Sequence, residues 1–173
     1  YGPYTNVQIT GGDPTLRKHH ELIRIVRYAA DLDLFPALFT NGIAASRALL
    51  KALVEVGLKD VAFHVDTTQQ RSGYNSEADL NALRLEYLQR TRGLDLMVIF
   101  NTTIYTGNIA QLPTLLDFFV DHADTIGFAS FQVQANTGRG VAGARGEEVS
   151  PERVRQLIEQ RAKRPLPWDV IRI

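Results

Sequence analysis

A chain of 173 residues, 45% of them hydrophobic, is long enough to bury one sizeable core and falls in the size range of a single domain. Nineteen lysines and arginines balance nineteen aspartates and glutamates, so the broad positive field needed to bind phosphate backbones is missing and nucleic acid is not an expected partner. No apolar run approaches the roughly 20 residues that span a bilayer, no signal-peptide pattern opens the chain, and no cysteine is present. Disulfides and thiolate-held metals are therefore excluded for these residues, and a cytoplasmic protein is expected.

Short apolar runs alternate with longer stretches of helical period, the pattern of βαβ units around a parallel sheet. The first strand is expected over Thr5 to Thr10, closed by Gly11-Gly12-Asp13-Pro14. Leu22, Ile23, Val26, Ala29 and Ala30 then form one apolar helix face. Phe35 to Thr40 is the second strand, stopped by Asn41-Gly42. Ser46 caps a helix bearing Leu49, Leu50, Leu53 and Val54, and Gly57 suits its left-handed end. Val61 to Val65 is the third strand, and Ser76-Glu77-Ala78-Asp79 reads as a capping box for a helix ended by Gly93.

Leu96 to Tyr105 is the fourth strand, followed by a helix from Asn108 to Val120 with Pro113 in its first turn. Ile126 to Gln134 is the fifth strand, broken by Thr137-Gly138-Arg139-Gly140, and Ser150-Pro151-Glu152 starts the last helix. A sixth strand is expected from Trp168 to Ile173. The abrupt start at Tyr1-Gly2 and the strand-like end both read as cuts, so a fragment is expected. Six strands alternating with five helices suit a doubly wound sheet or part of a β/α barrel, and in both the chemistry lies at the C-terminal ends of the strands.

Polar pairs fall there at i, i+2, which puts both side chains on one strand face. They are His64 with Asp66, Asn101 with Thr103, and Gln132 with Gln134. A buried polar group without a partner costs about 1 to 3 kcal/mol, so three such pairs point to a shared polar cavity, the alternative being that they satisfy one another inside a barrel or cap neighbouring helices. At the first strand's end, Gly11 and Gly12 allow close backbone approach, Asp13 offers an acceptor and Pro14 pins the turn, an arrangement that suits an ammonium group. Gln69, Gln70 and Arg71 read as a solvated loop, His19, His20 and His122 as residues without a ligand role, and Phe118, Phe119, Phe128 and Phe131 as core.

Val7-Gln8-Ile9-Thr10-Gly11-Gly12-Asp13-Pro14 resembles the second strand and Gly-Gly-Glu-Pro motif of the radical SAM superfamily. In order, Leu38-Phe39-Thr40-Asn41-Gly42, His64-Val65-Asp66, Phe100-Asn101-Thr102-Thr103 and Gln134-Ala135-Asn136-Thr137-Gly138-Arg139-Gly140 resemble its next four strand ends. The resemblance implies one partial β/α barrel over residues 1 to 173, a truncated TIM-like arc of parallel strands alternating with helices. It further implies reductive cleavage of S-adenosylmethionine by a 4Fe-4S cluster, a 5'-deoxyadenosyl radical, and hydrogen abstraction from a small-molecule or peptide substrate, with flavodoxin or ferredoxin as electron donor.

The cofactor-binding residues it implies are Gly11, Gly12, Asp13 and Pro14 for the ammonium, Asp66, Asn101, Thr103 and Thr40 for ribose or carboxylate, and Gln134 at the adenine edge. His64, Gln132 and Arg139 are left for substrate. Two departures stand out. Asp13 replaces the motif's glutamate, and the three-cysteine loop that holds the cluster is absent, as expected if it precedes residue 1. On that expectation these residues alone are inactive. Two other classes stay open: a cluster-free module binding S-adenosylmethionine or a nucleotide, and an unrelated β/α-barrel enzyme holding phosphate at helix N-termini.

Overall fold

The computed structural model describes residues 5–134, 149–163 and 166. Among them, strands β1 (Asn6–Ile9), β2 (Phe35–Thr40), β3 (Asp60–His64), β4 (Met97–Ile104) and β5 (Phe128–Val133) alternate with helices α1 (His19–Asp31), α2 (Arg47–Glu55), α3 (Leu80–Thr91), α4 (Leu112–Asp121) and α5 (Pro151–Ala162). Each described strand lies within one residue of its expected span except β5, which starts at Phe128, two residues after the expected Ile126. The expected sixth strand falls outside the described residues.

All four strand pairings are parallel, and the sheet order is β1-β2-β3-β4-β5. That order decides between the two architectures. A doubly wound sheet reverses its strand order to place helices on both faces. Here every crossover steps the same way, and right-handed crossovers then put every connecting helix on one face, as in an arc of a β/α barrel.

The core follows from this arrangement. Its strand residues come from a single face: Leu38, Val61, Phe63, Val65, Val98 and Phe100 pack against Leu22 and Val26 of α1, Leu49, Leu50 and Leu53 of α2, Leu83, Tyr87 and Leu88 of α3, and Leu115, Phe118 and Phe119 of α4. A smaller cluster joins Ile104, Leu112, Val149 and Val154 beneath α5. The opposite face bears Phe35, Met97 and Phe128, all substantially exposed. Phe128, expected in the core, is 55% exposed because its position in β5 is in register with Ile99, on the face no described helix covers.

Local chemistry sets the helix boundaries. Ser46 and Ser150 accept hydrogen bonds from the amides of Leu49 and Arg153, as N-caps should. Ser76 accepts from the Asp79 amide at 3.1 Å, which is half of the expected capping box. The other half is missing, because the Asp79 carboxylate takes the Asn75 amide and α3 begins only at Leu80.

Candidate active-site rim

The strand ends form a ladder of polar side chains on the helix-free face. His64 is in register with Asn101, and Asn101 with Ser130; two residues further along, Thr103 is in register with Gln132. Alternation along a strand puts these five on one side of the sheet. The Asn101 Oδ1 is buried and has no hydrogen-bond partner among the described residues. A polar atom left so costs about 1 to 3 kcal/mol, an expense that a bound donor removes. Gln134 continues the row as its amide donates to the Ile104 carbonyl at 2.9 Å. Arg139 lies outside the described residues.

Asp66 behaves differently from its neighbours. Its side chain is fully buried and both oxygens are occupied. Oδ1 accepts from the Thr68 amide at 3.0 Å and from the Thr68 hydroxyl, while Oδ2 accepts from the Thr103 amide at 2.7 Å and lies 2.6 Å from His64 Nε2. Burial opposes its ionisation, but the bonds from His64, Thr68 and the Thr103 amide prevail and lower the pKa to about 2. A carboxylate with no exposed surface and four donors has no capacity left for a ribose hydroxyl, which corrects the expected direct contact. Its task is to orient His64 and to tie β3 to β4.

The glycine turn is built in the same way. Asp13 caps the short 3-10 turn Pro14–Leu16 and accepts from the Thr15 amide (3.0 Å), the Thr15 hydroxyl (2.6 Å), the Thr40 hydroxyl (2.9 Å) and the Asn41 amide (2.7 Å). Burial raises its pKa, yet the hydrogen bonds from Thr15, Asn41 and Thr40 outweigh that and hold it below the ordinary carboxylate value. Thr40 in turn accepts from the Gly42 amide at 3.0 Å, so it is used in latching β1 to β2. Gly11, at φ +128°, adopts a conformation that L side chains rarely take, and a Cβ on Gly11 or Gly12 would meet nothing within 4 Å among the described residues. That turn is therefore open to a ligand, with an ionised carboxylate directly behind it.

Sequence reasoning missed two groups that hold the rim. Glu77, buried, receives the Thr67 amide (3.0 Å), the Thr67 hydroxyl (2.9 Å), the Asn108 side-chain amide (2.8 Å) and Arg84 Nη2 (2.6 Å). Asn108 continues the network to the Thr103 carbonyl and the Tyr105 amide, and Arg84 to the Val65 carbonyl. The signal was available: Arg84 interrupts the apolar stripe Leu80, Tyr87 and Leu88 at i−4, i+3 and i+4, where a lone charge must find a buried partner. Arg71, expected in a solvated loop, instead donates to the Asn41 carbonyl (2.7 Å), the His64 carbonyl (3.2 Å), the Tyr87 hydroxyl (2.9 Å) and Gln69 (3.0 Å), stitching the ends of β2 and β3 together.

A parallel arc of βα units with its helices on one face and a polar rim at the strand C-termini defines a β/α-barrel enzyme fold. The solved structures with this fold include a domain of pyruvate-formate lyase-activating enzyme from Bacteroides vulgatus (TM-score 0.59, 14% identity, 91% of this chain and 92% of that one). They also include the radical S-adenosylmethionine methyltransferase TsrM from Kitasatospora setae (TM-score 0.50, 11% identity, 75% of this chain and 27% of that one). Among curated proteins, the PqqA peptide cyclase of Methylobacterium nodulans is 32% identical over 119 residues, and that of Bradyrhizobium diazoefficiens 31% identical over 129, covering 66% and 73% of this chain. The chain is related to the radical SAM superfamily. It spans about a third of the length of those two cyclases, 30% and 33%. No protein-family model matches it.

Proposed function

We propose that this chain is the S-adenosylmethionine-binding arc of a radical SAM enzyme whose substrate is a peptide. The observation that carries the reading is the polar ladder His64, Asn101, Ser130, Thr103 and Gln132 on the face that no described helix covers, with the buried Asn101 Oδ1 lacking a partner among the described residues. Kinship with proteins named PqqA peptide cyclase supports the substrate class.

The residues suit a nucleoside that carries an ammonium. Carbonyls of the open Gly11-Gly12 turn take the ammonium hydrogen bonds, and the ionised Asp13 supplies the countercharge without a further in-plane bond of its own. Asn101 Oδ1 accepts a ribose hydroxyl, with Thr103 beside it, and Gln134 lies toward the adenine. When bound and reductively cleaved, S-adenosylmethionine supplies a 5'-deoxyadenosyl radical for hydrogen abstraction. The 4Fe-4S cluster is not matched by these residues, since the sequence has no cysteine and the described residues contain no group of three or more His, Asp or Glu able to hold a metal. The cluster ligands and the site for a flavodoxin- or ferredoxin-type donor belong to other parts of the protein.

Calorimetry on the full-length protein, kept anaerobic, tests the reading. S-adenosylmethionine should bind while simple phosphate esters do not compete. Asp13→Ala should weaken binding at least about tenfold, or ~1.4 kcal/mol, and more than Arg139→Ala does. Preference for phosphate esters, or equal losses in the two variants, would overturn it.

A further inference from the structure

The His64 imidazole is half exposed, at 40% for the side chain, while the carboxylate it touches is fully buried. Asp66 is held ionised by its three other donors and is an acceptor only. The hydrogen between Asp66 Oδ2 and His64 Nε2, 2.6 Å apart, must then reside on the imidazole. Thr103 Oγ1, 3.2 Å from the same nitrogen, is its second neighbour. The neutral ring therefore keeps its lone pair on Nδ1, and among the described residues no hydrogen bond reaches that atom. A histidine serving only to satisfy Asp66 would have no need of a half-exposed ring whose second nitrogen is left to accept.

Among the described residues, the neighbouring strands present no other group at this point that exchanges a proton near neutral pH. From β4 the groups on the same face are Asn101 and Thr103, and from β5 Ser130 and Gln132. Past the end of β2 the neighbour is Asn41, whose side chain accepts from the Ile43 amide. Arg71 is the nearest cation, and its guanidinium is committed to the Asn41 and His64 carbonyls. Tyr105 is hydrogen-bonded to Thr67.

We infer that His64, backed by Asp66, is a proton acceptor for a neutral O–H or N–H group of the molecule bound on this face. In the step assigned to it, the X–H bond breaks heterolytically, its electron pair stays on X, and an Nδ1–H bond forms. The imidazolium produced is stabilised by the Asp66 carboxylate, and no electron is transferred. A reaction begun by hydrogen-atom abstraction leaves proton removal as a separate task, and this dyad is suited to it. The assignment rests on the reading that the rim binds cofactor and substrate, but its test does not.

Full-length protein labelled with 15N-histidine gives the tautomer by NMR. His64 should be protonated on Nε2 with Nδ1 unprotonated near pH 8, and a predominant Nδ1–H form would overturn the inference. Diethyl pyrocarbonate acylation, read by mass spectrometry at each histidine of the wild-type protein, gives a second measure that needs no variant. His64 should be acylated at a rate comparable to exposed His19 and His20. A rate severalfold below that of His19 and His20 would refute it. If calorimetry detects no S-adenosylmethionine binding while both His64 results hold, the cofactor reading fails and the proton acceptor stands.

Discussion

Glu77→Gln is the most informative perturbation of the network behind the rim. The glutamine keeps the shape and an oxygen for Thr67 and Asn108, but it turns an amide N–H toward Arg84 Nη2, which now lies 2.6 Å from a carboxylate oxygen. Both side chains are almost wholly buried, at 0% and 1% exposure, and burial already lowers the Arg84 pKa against the opposing effect of Glu77. Leaving one charge of a buried pair uncompensated costs about 3 to 5 kcal/mol. The carbonyls of Glu77 and Val65 and the Asn81 side chain still receive Arg84, so the lower end of that range applies. With a urea m-value of about 2 kcal/mol/M, the unfolding midpoint should fall by roughly 1.5 M. Hydrogen exchange should localise the loss to residues 65–69 and 103–108, which the network joins. The variant Glu77→Leu/Arg84→Met removes both charges and should recover much of the stability. A cost under about 1 kcal/mol for Glu77→Gln, or unchanged protection in both segments, would refute the argument.

Two further outcomes follow from the same geometry. Gly42→Ala should destabilise by about 2 to 5 kcal/mol, because φ is +80° and the new Cβ would lie 2.2 Å from the Tyr87 ring. Gly93→Ala, at φ +74° with nothing within 4 Å, should cost only the backbone term of about 1 to 2 kcal/mol; equal falls in thermal midpoint would contradict the steric account. Asp66 makes stability pH-dependent in a defined window. Its folded pKa of about 2 lies below the ordinary 3.8, so the stabilisation, roughly 2 kcal/mol, is present above pH 4 and is lost as pH falls toward 2. The stability gap between wild type and Asp66→Asn, measured by urea unfolding from pH 5.5 to 2.5, should narrow with acid; a constant gap would count against it.

Much of the fold was legible in the residues themselves. Short apolar runs and period-3.6 patterns located all five described strands and helices, and Ser46, Gly57, Gly93 and Ser150 marked boundaries, because caps and left-handed residues are local chemistry. The i, i+2 pairs were legible for the same reason: alternation alone puts Asn101 and Thr103 on one face. What sequence spacing cannot carry is who satisfies whom. Asp66 reads like a ligand residue, yet Thr68, Thr103 and His64 consume it, and Arg71 reads like a loop residue, yet it bridges two strand ends.

The sequence by itself determined the alternation of strand and helix, the glycine turn, the row of polar strand ends and the kinship they imply, since all of these depend on near neighbours in the chain. Only the tertiary structure decided that the strands run in unbroken order with one face bare of described helices, that Glu77 and Arg84 are paired in the interior, and that, among the described residues, His64 keeps an unbonded nitrogen while Asp66 keeps no unbonded oxygen. Those outcomes depend on hydrogen bonds between residues up to 39 positions apart and on which face each crossover covers, and neither quantity is written in any local stretch of the chain.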